Sequence, residues 1–243
     1  MKEFFMNKIH FHLRRNHVGF TLIELLLVIS IIAIIAAFLV PVVSSIKRLA
    51  YINKTKAEMA QVETAIERYK AAYGFYPPSN PNGVLTNQLY YELVGTTSPT
   101  VGNYTTLDGR STISPATVLG YFGVQGFLNC STNKNFNEDA PVAKTFLPDL
   151  KATQIGAYTN LPITKFSIGV NLLVASVGGP YQKYEPLGGP VGGPGINPWR
   201  YNSSSPTNNP GSYDLYVQIV IKPGQTNLIC NWTKQVQINS SLP

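Results

Sequence analysis

The residues able to do chemistry in this chain are few and unevenly placed. His10, His12 and His17 are the only histidines, and all precede residue 20. A chain cut near that point would keep no imidazole for acid–base work or zinc ligation. Cys130 and Cys230 are the only cysteines, too few for a four-thiolate zinc site and not spaced as a redox pair. They are candidates for a disulfide in an oxidising compartment, worth up to about 4–5 kcal/mol by loop closure. The other reading is two buried free thiols. Neither a P-loop nor a dinucleotide fingerprint nor a nucleophile elbow occurs, and GGPVGGPG has the wrong spacing for a phosphate cradle. The residues predict a protein without an active site.

What remains is a constellation at the amino terminus, where Gly19 is followed by Phe20, Thr21, Leu22, Ile23 and Glu24. Gly19 puts no side chain in the way of attack on the bond that follows it. Glu24 is the one charged residue in an otherwise apolar run from 20 to 43, FTLIELLLVISIIAIIAAFLVPVV. Those 24 residues would make a helix of about 36 Å, enough to span a bilayer. A secretory signal peptide has a shorter apolar core and is cut after it, whereas Gly19 lies before. An ordinary single-span anchor accounts poorly for Glu24, because an acid deep in lipid costs about 2.5–3.5 kcal/mol, although the penalty falls near a helix end. The flanking charges do not orient the span: Lys2, Lys8, Arg14 and Arg15 precede it, and Lys47, Arg48, Lys54 and Lys56 follow.

A basic leader, the hexapeptide from Gly19 to Glu24 and a long apolar helix together resemble the type IV prepilin class, especially the pseudopilins of type II secretion systems. The resemblance implies cleavage between Gly19 and Phe20 by a membrane-embedded prepilin peptidase, N-methylation of Phe20, and a head outside the cytoplasm. It also implies that Glu24 attracts the new amine of Phe20 on a neighbouring subunit and so sets axial register. Arg14 and Arg15 would hold the leader at an anionic cytoplasmic surface. Pro41 removes one helical hydrogen bond, at about 3 kcal/mol in a regular helix. The resemblance makes it a bend or melting point during assembly.

The elements that position these residues are legible downstream. Residues 44–73, SSIKRLAYINKTKAEMAQVETAIERYKAAY, lack Gly and Pro and place Met59, Val62, Ile66, Tyr69 and Tyr73 at steps of three and four, which predicts an amphipathic helix. Running on from Phe20 it would measure about 80 Å; Gly74 and Pro77-Pro78 end it. The stripe is read as head core rather than as a seam for a partner. Short β-prone runs follow at roughly 163–175 and 213–222, with a turn at Pro223-Gly224 before NLICNW. The expected fold is α+β: a long amino-terminal helix packed against a small antiparallel β-sheet. The chain then divides into a leader (1–19), a transmembrane or filament-core helix (20–43), an amphipathic helix (44–73) and a β-rich extracytoplasmic head (74–243).

Residues 177–211 are so dense in Gly and Pro that they form a long loop in any fold. Asn197-Pro198-Trp199-Arg200-Tyr201 and Pro210-Gly211-Ser212-Tyr213-Asp214-Leu215 resemble the carboxy-terminal signature of major pseudopilins. Those proteins continue into a carboxylate-bearing loop that binds calcium, but no Asp or Glu follows Asp214 here. Calcium is therefore not expected, since hard cations need several oxygen ligands. Trp199 and Tyr201 are read as loop-packing aromatics.

The formal charge of +7 falls to +4 once the leader's Lys and Arg, offset by Glu3, are removed. Basic residues are not interleaved with aromatics, so no nucleic-acid partner is expected. Implied partners are further copies of the chain, related pseudopilins, the prepilin peptidase and an inner-membrane platform, with a single-pass location in the bacterial inner membrane. The function implied is that of a structural subunit of a secretion pseudopilus. The alternatives are a minor pilin for adhesion or DNA uptake and a monomeric anchored binding module.

Overall fold

Helix α1 (Leu22–Tyr73) contains no glycine and a single proline, and its composition changes character near its middle. The computed structural model describes residues 19–98, 102–132, 142–158, 169–177, 195–222 and 225–240, without the side chains of 39–44 and 222. The leader, residues 163–168 of the first β-prone run, and 178–194 of the long loop lie outside the described residues. Contacts divide the chain into two units, Met1–Lys47 and Arg48–Pro243.

In the first unit every described side chain from 19 to 38 is exposed, as are those of 45–47. The backbone is helical through residue 41, and the Pro41 side chain is outside the described set. Among the described residues no helix is both long and apolar enough to cross a membrane. The segment expected to span is described side chain by side chain only through Phe38. That is about 25 Å of helix against a hydrocarbon core of about 30 Å.

In the second unit the amphipathic stripe behaves as expected. Val62, Ile66 and Tyr69 are fully buried, and Met59 and Tyr73 pack partly buried against the same core. Ile52, Thr55 and Ala65 are buried as well. Around this stripe come α2 (Leu89–Val94), β1 (Thr96–Ser98), β2 (Tyr104–Thr106), β3 (Thr112–Ile113), α3 (Pro115–Phe122), β4 (Cys130–Thr132), β5 (Ile155–Tyr158), β6 (Val170–Leu173), β7 (Arg200–Asn202), β8 (Asp214–Lys222), β9 (Gln225–Cys230) and β10 (Thr233–Ile238).

The head is larger than the expected single sheet. The antiparallel sheet β10-β9-β8-β7 is joined by a second four-stranded sheet, β3-β2-β1-β4, in which β1 and β4 run parallel, and by the pair β5-β6. Leu215, Val217, Ile219 and Ile229 of β8 and β9 lie in the same core as the α1 stripe, whereas Tyr216, Leu228 and Cys230 form a second cluster. This is the alternation of a strand buried on both faces. Ser114 accepts from Thr117 N, Pro115 opens α3, and Gly123 closes it in the left-handed conformation at φ 65°.

A buried polar hub fixes α1 to α2. Glu92, 1% exposed, accepts from Leu128 N (2.9 Å), Asn129 N (3.0 Å) and the Tyr69 hydroxyl (3.0 Å). Burial raises its pKa, and these three donors offset the rise in part. Asn129 in turn accepts from Tyr73 and Lys144 N and donates to Glu92 O and Lys144 O, which uses its full amide capacity.

Candidate processing and assembly site

Gly19, Phe20 and Thr21 precede α1 and have no regular structure; the helix begins at Leu22. A Cβ placed on Gly19 would meet nothing within 4 Å, and Phe20 is 84% exposed. Among the described residues nothing packs on the Gly19–Phe20 bond, which leaves it accessible to a peptidase.

Thr21 caps the helix and Glu24 closes a capping box. The Thr21 N–H donates to Glu24 Oε2 at 2.8 Å, the Thr21 hydroxyl donates to the same oxygen at 2.8 Å, and Glu24 N–H donates to Thr21 Oγ1 at 3.3 Å. Two amino-terminal N–H groups that lack helical partners are thereby satisfied. The carboxylate is also favoured by the positive end of the helix dipole. Within the single chain, then, Glu24 is turned back on its own helix start and has hydrogen-bond partners there. Ser30, the other polar side chain of the segment, donates to Leu27 O at 2.7 Å, so it too is satisfied inside the helix.

The loop motif is structural. Trp199 and Tyr201 are fully buried. Trp199 N donates to Leu173 O, Tyr201 N donates to Val84 O, and the Tyr201 hydroxyl donates to Pro77 O at 2.7 Å. Asn197 Nδ2 donates to Gln218 O at 2.7 Å, and Asn87 Nδ2 donates to Trp199 O at 2.7 Å. Residues 197–201 thus tie β6, β8 and the segment after α1 together, with the indole and phenol filling the core.

Asp214 is ringed by N–H donors, from Thr207 N, Asn208 N, Asn208 Nδ2 and Asn209 N at 2.8–3.1 Å. N–H groups aimed at a carboxylate repel a cation, so the residues around Asp214 do not fit calcium. Asp214 clips the loop that leads into β8.

Cys130 and Cys230 are free thiols. They lie on strands of different sheets, β4 and β9, and pack against separate clusters, so the structure joins no disulfide between them. Burial pushes both thiols upward in pKa.

Sequence reasoning found the capping residues by family pattern but not the cap itself. The signal was present, since Thr followed three residues later by Glu before an apolar run is a capping box. The Glu92–Asn129 hub had no sequence signal, because its members come from distant segments.

Residues 14–40 match the family described as "Prokaryotic N-terminal methylation motif". Among curated proteins the chain is similar to the fimbrial protein EcpB of Eikenella corrodens, with 39% identity over 79 residues, 32% of this chain and 49% of that protein. The chain thus spans about half the length of the curated relative it matches. No solved structure matches it at a significant level. With a methylation motif over 14–40, an accessible Gly19–Phe20 bond and Glu24 capping the helix that follows, the amino-terminal part of the chain is type IV prepilin-like.

Proposed function

We propose that this protein is a structural filament subunit: a prepilin peptidase cuts it after Gly19 and methylates Phe20, and the mature chain assembles into the pseudopilus of a type II secretion system. The observation that carries the reading is the open Gly19–Phe20 bond set directly before the Thr21–Glu24 capping box of an apolar helix. Cleavage creates a cationic amine on Phe20, next to the N-cap. Before assembly Glu24 is held by its own Thr21, which eases the placement of an acid beside lipid. In the filament the carboxylate exchanges that contact for the Phe20 amine of a neighbour.

Leaving a buried carboxylate without its partner costs about 3–5 kcal/mol, so this exchange rejects wrong registers more strongly than it stabilises the right one. The apolar half of α1, together with residues 39–43, spans the inner membrane before extraction, with the head on the extracytoplasmic side. The work of the subunit is mechanical and needs no active site.

The secretion assignment is supported by the motifs around Trp199 and Asp214. A second reading, a pilus subunit, is favoured by the similarity to a fimbrial protein. Intact mass and amino-terminal sequencing, with and without an active prepilin peptidase, test the shared part. The expected product begins at methylated Phe20 only where the peptidase works; a chain that keeps residues 1–19 in both strains overturns the proposal. Deleting the gene then separates the two readings: loss of exoprotein release supports the pseudopilus, and loss of attachment or DNA uptake with secretion intact supports the pilus.

A further inference from the structure

A cleft between α1 and the β9–β10 hairpin is used neither by processing nor by assembly through the apolar half of the helix. It lies wholly within the second unit and measures about 590 Å³, a volume in the range of small-molecule sites. Lys56, Met59, Ala60 and Glu63 line it on the helix side, and residues 229–236 of the hairpin line it on the other. Steps of three and four place those helix residues on one face.

The lining is apolar in the middle and charged at the two ends of that face. Met59 and Val236, both partly buried, supply aliphatic surface. Trp232 adds an aromatic wall, its ring set edge-on to Tyr216 at a centroid distance of 5.4 Å. At one end Lys56 Nζ donates to Lys234 O at 2.7 Å, which ties helix to hairpin and bars an extended chain from running through. At the other end Glu63 is half-buried, and among the described residues it accepts no hydrogen bond and forms no ion pair. Burial raises its pKa, and so does the like charge of Glu67, as befits a carboxylate partly stripped of water with no counter-charge. Lys56 does not supply one, being bonded elsewhere and about 10 Å away along the helix, roughly a Debye length at physiological salt.

What this lining lacks is a cation with an apolar body. A carboxylate and an indole face both attract an ammonium group, and an apolar body would cover Met59 and Val236. An anion is repelled by Glu63, and a neutral apolar molecule would desolvate that carboxylate further without pairing it. We infer that the cleft binds a compact organic ammonium ion, with the charge on Glu63 and the apolar body between Met59, Val236 and Trp232. The inference rests on the second unit alone and stands apart from the processing of Gly19–Phe20.

The test titrates the full chain, in non-ionic detergent micelles, with phenethylammonium, its neutral isostere 2-phenylethanol and the anion phenylacetate at matched free concentrations. The indole N–H resonances are the readout. The chain has two tryptophans; Trp232→Phe assigns them, and the buried Trp199 reports the state of the fold. The ammonium should shift the Trp232 signal with an affinity about fivefold above that of the alcohol, the size of one partly exposed ion pair, and phenylacetate should bind most weakly. Glu63→Gln should lower the ammonium's affinity by about fivefold, to that of the alcohol. Ala60→Met narrows the cleft from an exposed helix position and should weaken the ammonium and the alcohol alike; it decides the matter if Glu63→Gln moves the Trp199 signal. Equal affinities for ammonium and alcohol, a preference that survives Glu63→Gln in a folded chain, an ammonium affinity unmoved by Ala60→Met, or no Trp232 shift with any probe at millimolar concentration overturns the inference.

Discussion

One helix, α1, lives in two environments, and its two halves solve the same physical problem in opposite ways. Before residue 39 its side chains are apolar and exposed, and its one acid, Glu24, is satisfied by hydrogen bonds to its own Thr21. After Arg48 the centre of its stripe, Val62, Ile66 and Tyr69, is fully buried, and the acid it contacts, Glu92, is satisfied by donors from α1 and from the segment before β4. The first half has completed its hydrogen bonds but not its packing. In the second, Val62, Ile66 and Tyr69 are packed and the Tyr69 hydroxyl is bonded. Among the described residues, exposed large apolar side chains are therefore concentrated at one end of one helix, where a lipid or a neighbouring helix can cover them.

The comparison breaks most decisively at Glu24. Glu24→Ala should abolish filament assembly while leaving membrane insertion and the head intact, as read by sheared-filament yield beside membrane fractionation; normal filaments would show that the first half needs no charge. Trp199→Ala should act on the other side alone. Emptying a fully buried indole site costs about 3–5 kcal/mol, seen as a lowered denaturant midpoint for the head. Gly95→Ala sharpens the same contrast. Gly95 has φ 83°, and an added Cβ would meet the Leu107 side chain and Lys144 O at 2.9 Å. We expect the head to lose about 2 kcal/mol in chemical denaturation, within the usual range for forced left-handed strain.

The smallest effect separates the two glutamates by pH. Burial raises the Glu92 pKa above its ordinary 4.5, so the folded head holds a proton that the unfolded chain has lost. Its stabilising contribution is complete below about pH 4.5 and is lost as pH rises through the folded value, by at most about 1.4 kcal/mol per pH unit. Glu92→Gln should flatten that slope in urea titrations from acid to neutral pH, and an unchanged slope would assign it to another group.

Local pattern made much of this legible. The three-four spacing of Val62, Ile66 and Tyr69 reports a helix face before any partner is known, because side-chain direction on a helix follows from sequence number alone. Strand β8 was readable from its β-branched and aromatic run at 213–222, whereas the expected Pro223-Gly224 turn lies outside the described residues. The sheet β3-β2-β1-β4 was not, since strands of two or three residues rich in Thr and Ser carry no periodicity. Helix α3 carried its Ser-Pro start and Gly stop in plain view, yet at eight residues it is too short for an apolar pattern to establish.

By itself the sequence determined the Gly19–Glu24 hexapeptide, the apolar helix and its lone acid, because these depend on residue types at fixed spacing along one chain. Only the tertiary structure decided that Trp199 and Tyr201 are core, that Asp214 clips a loop and that Arg48 meets Asn227. Each of those depends on which distant segments the fold brings within a few ångströms, and chain order does not encode that distance locally.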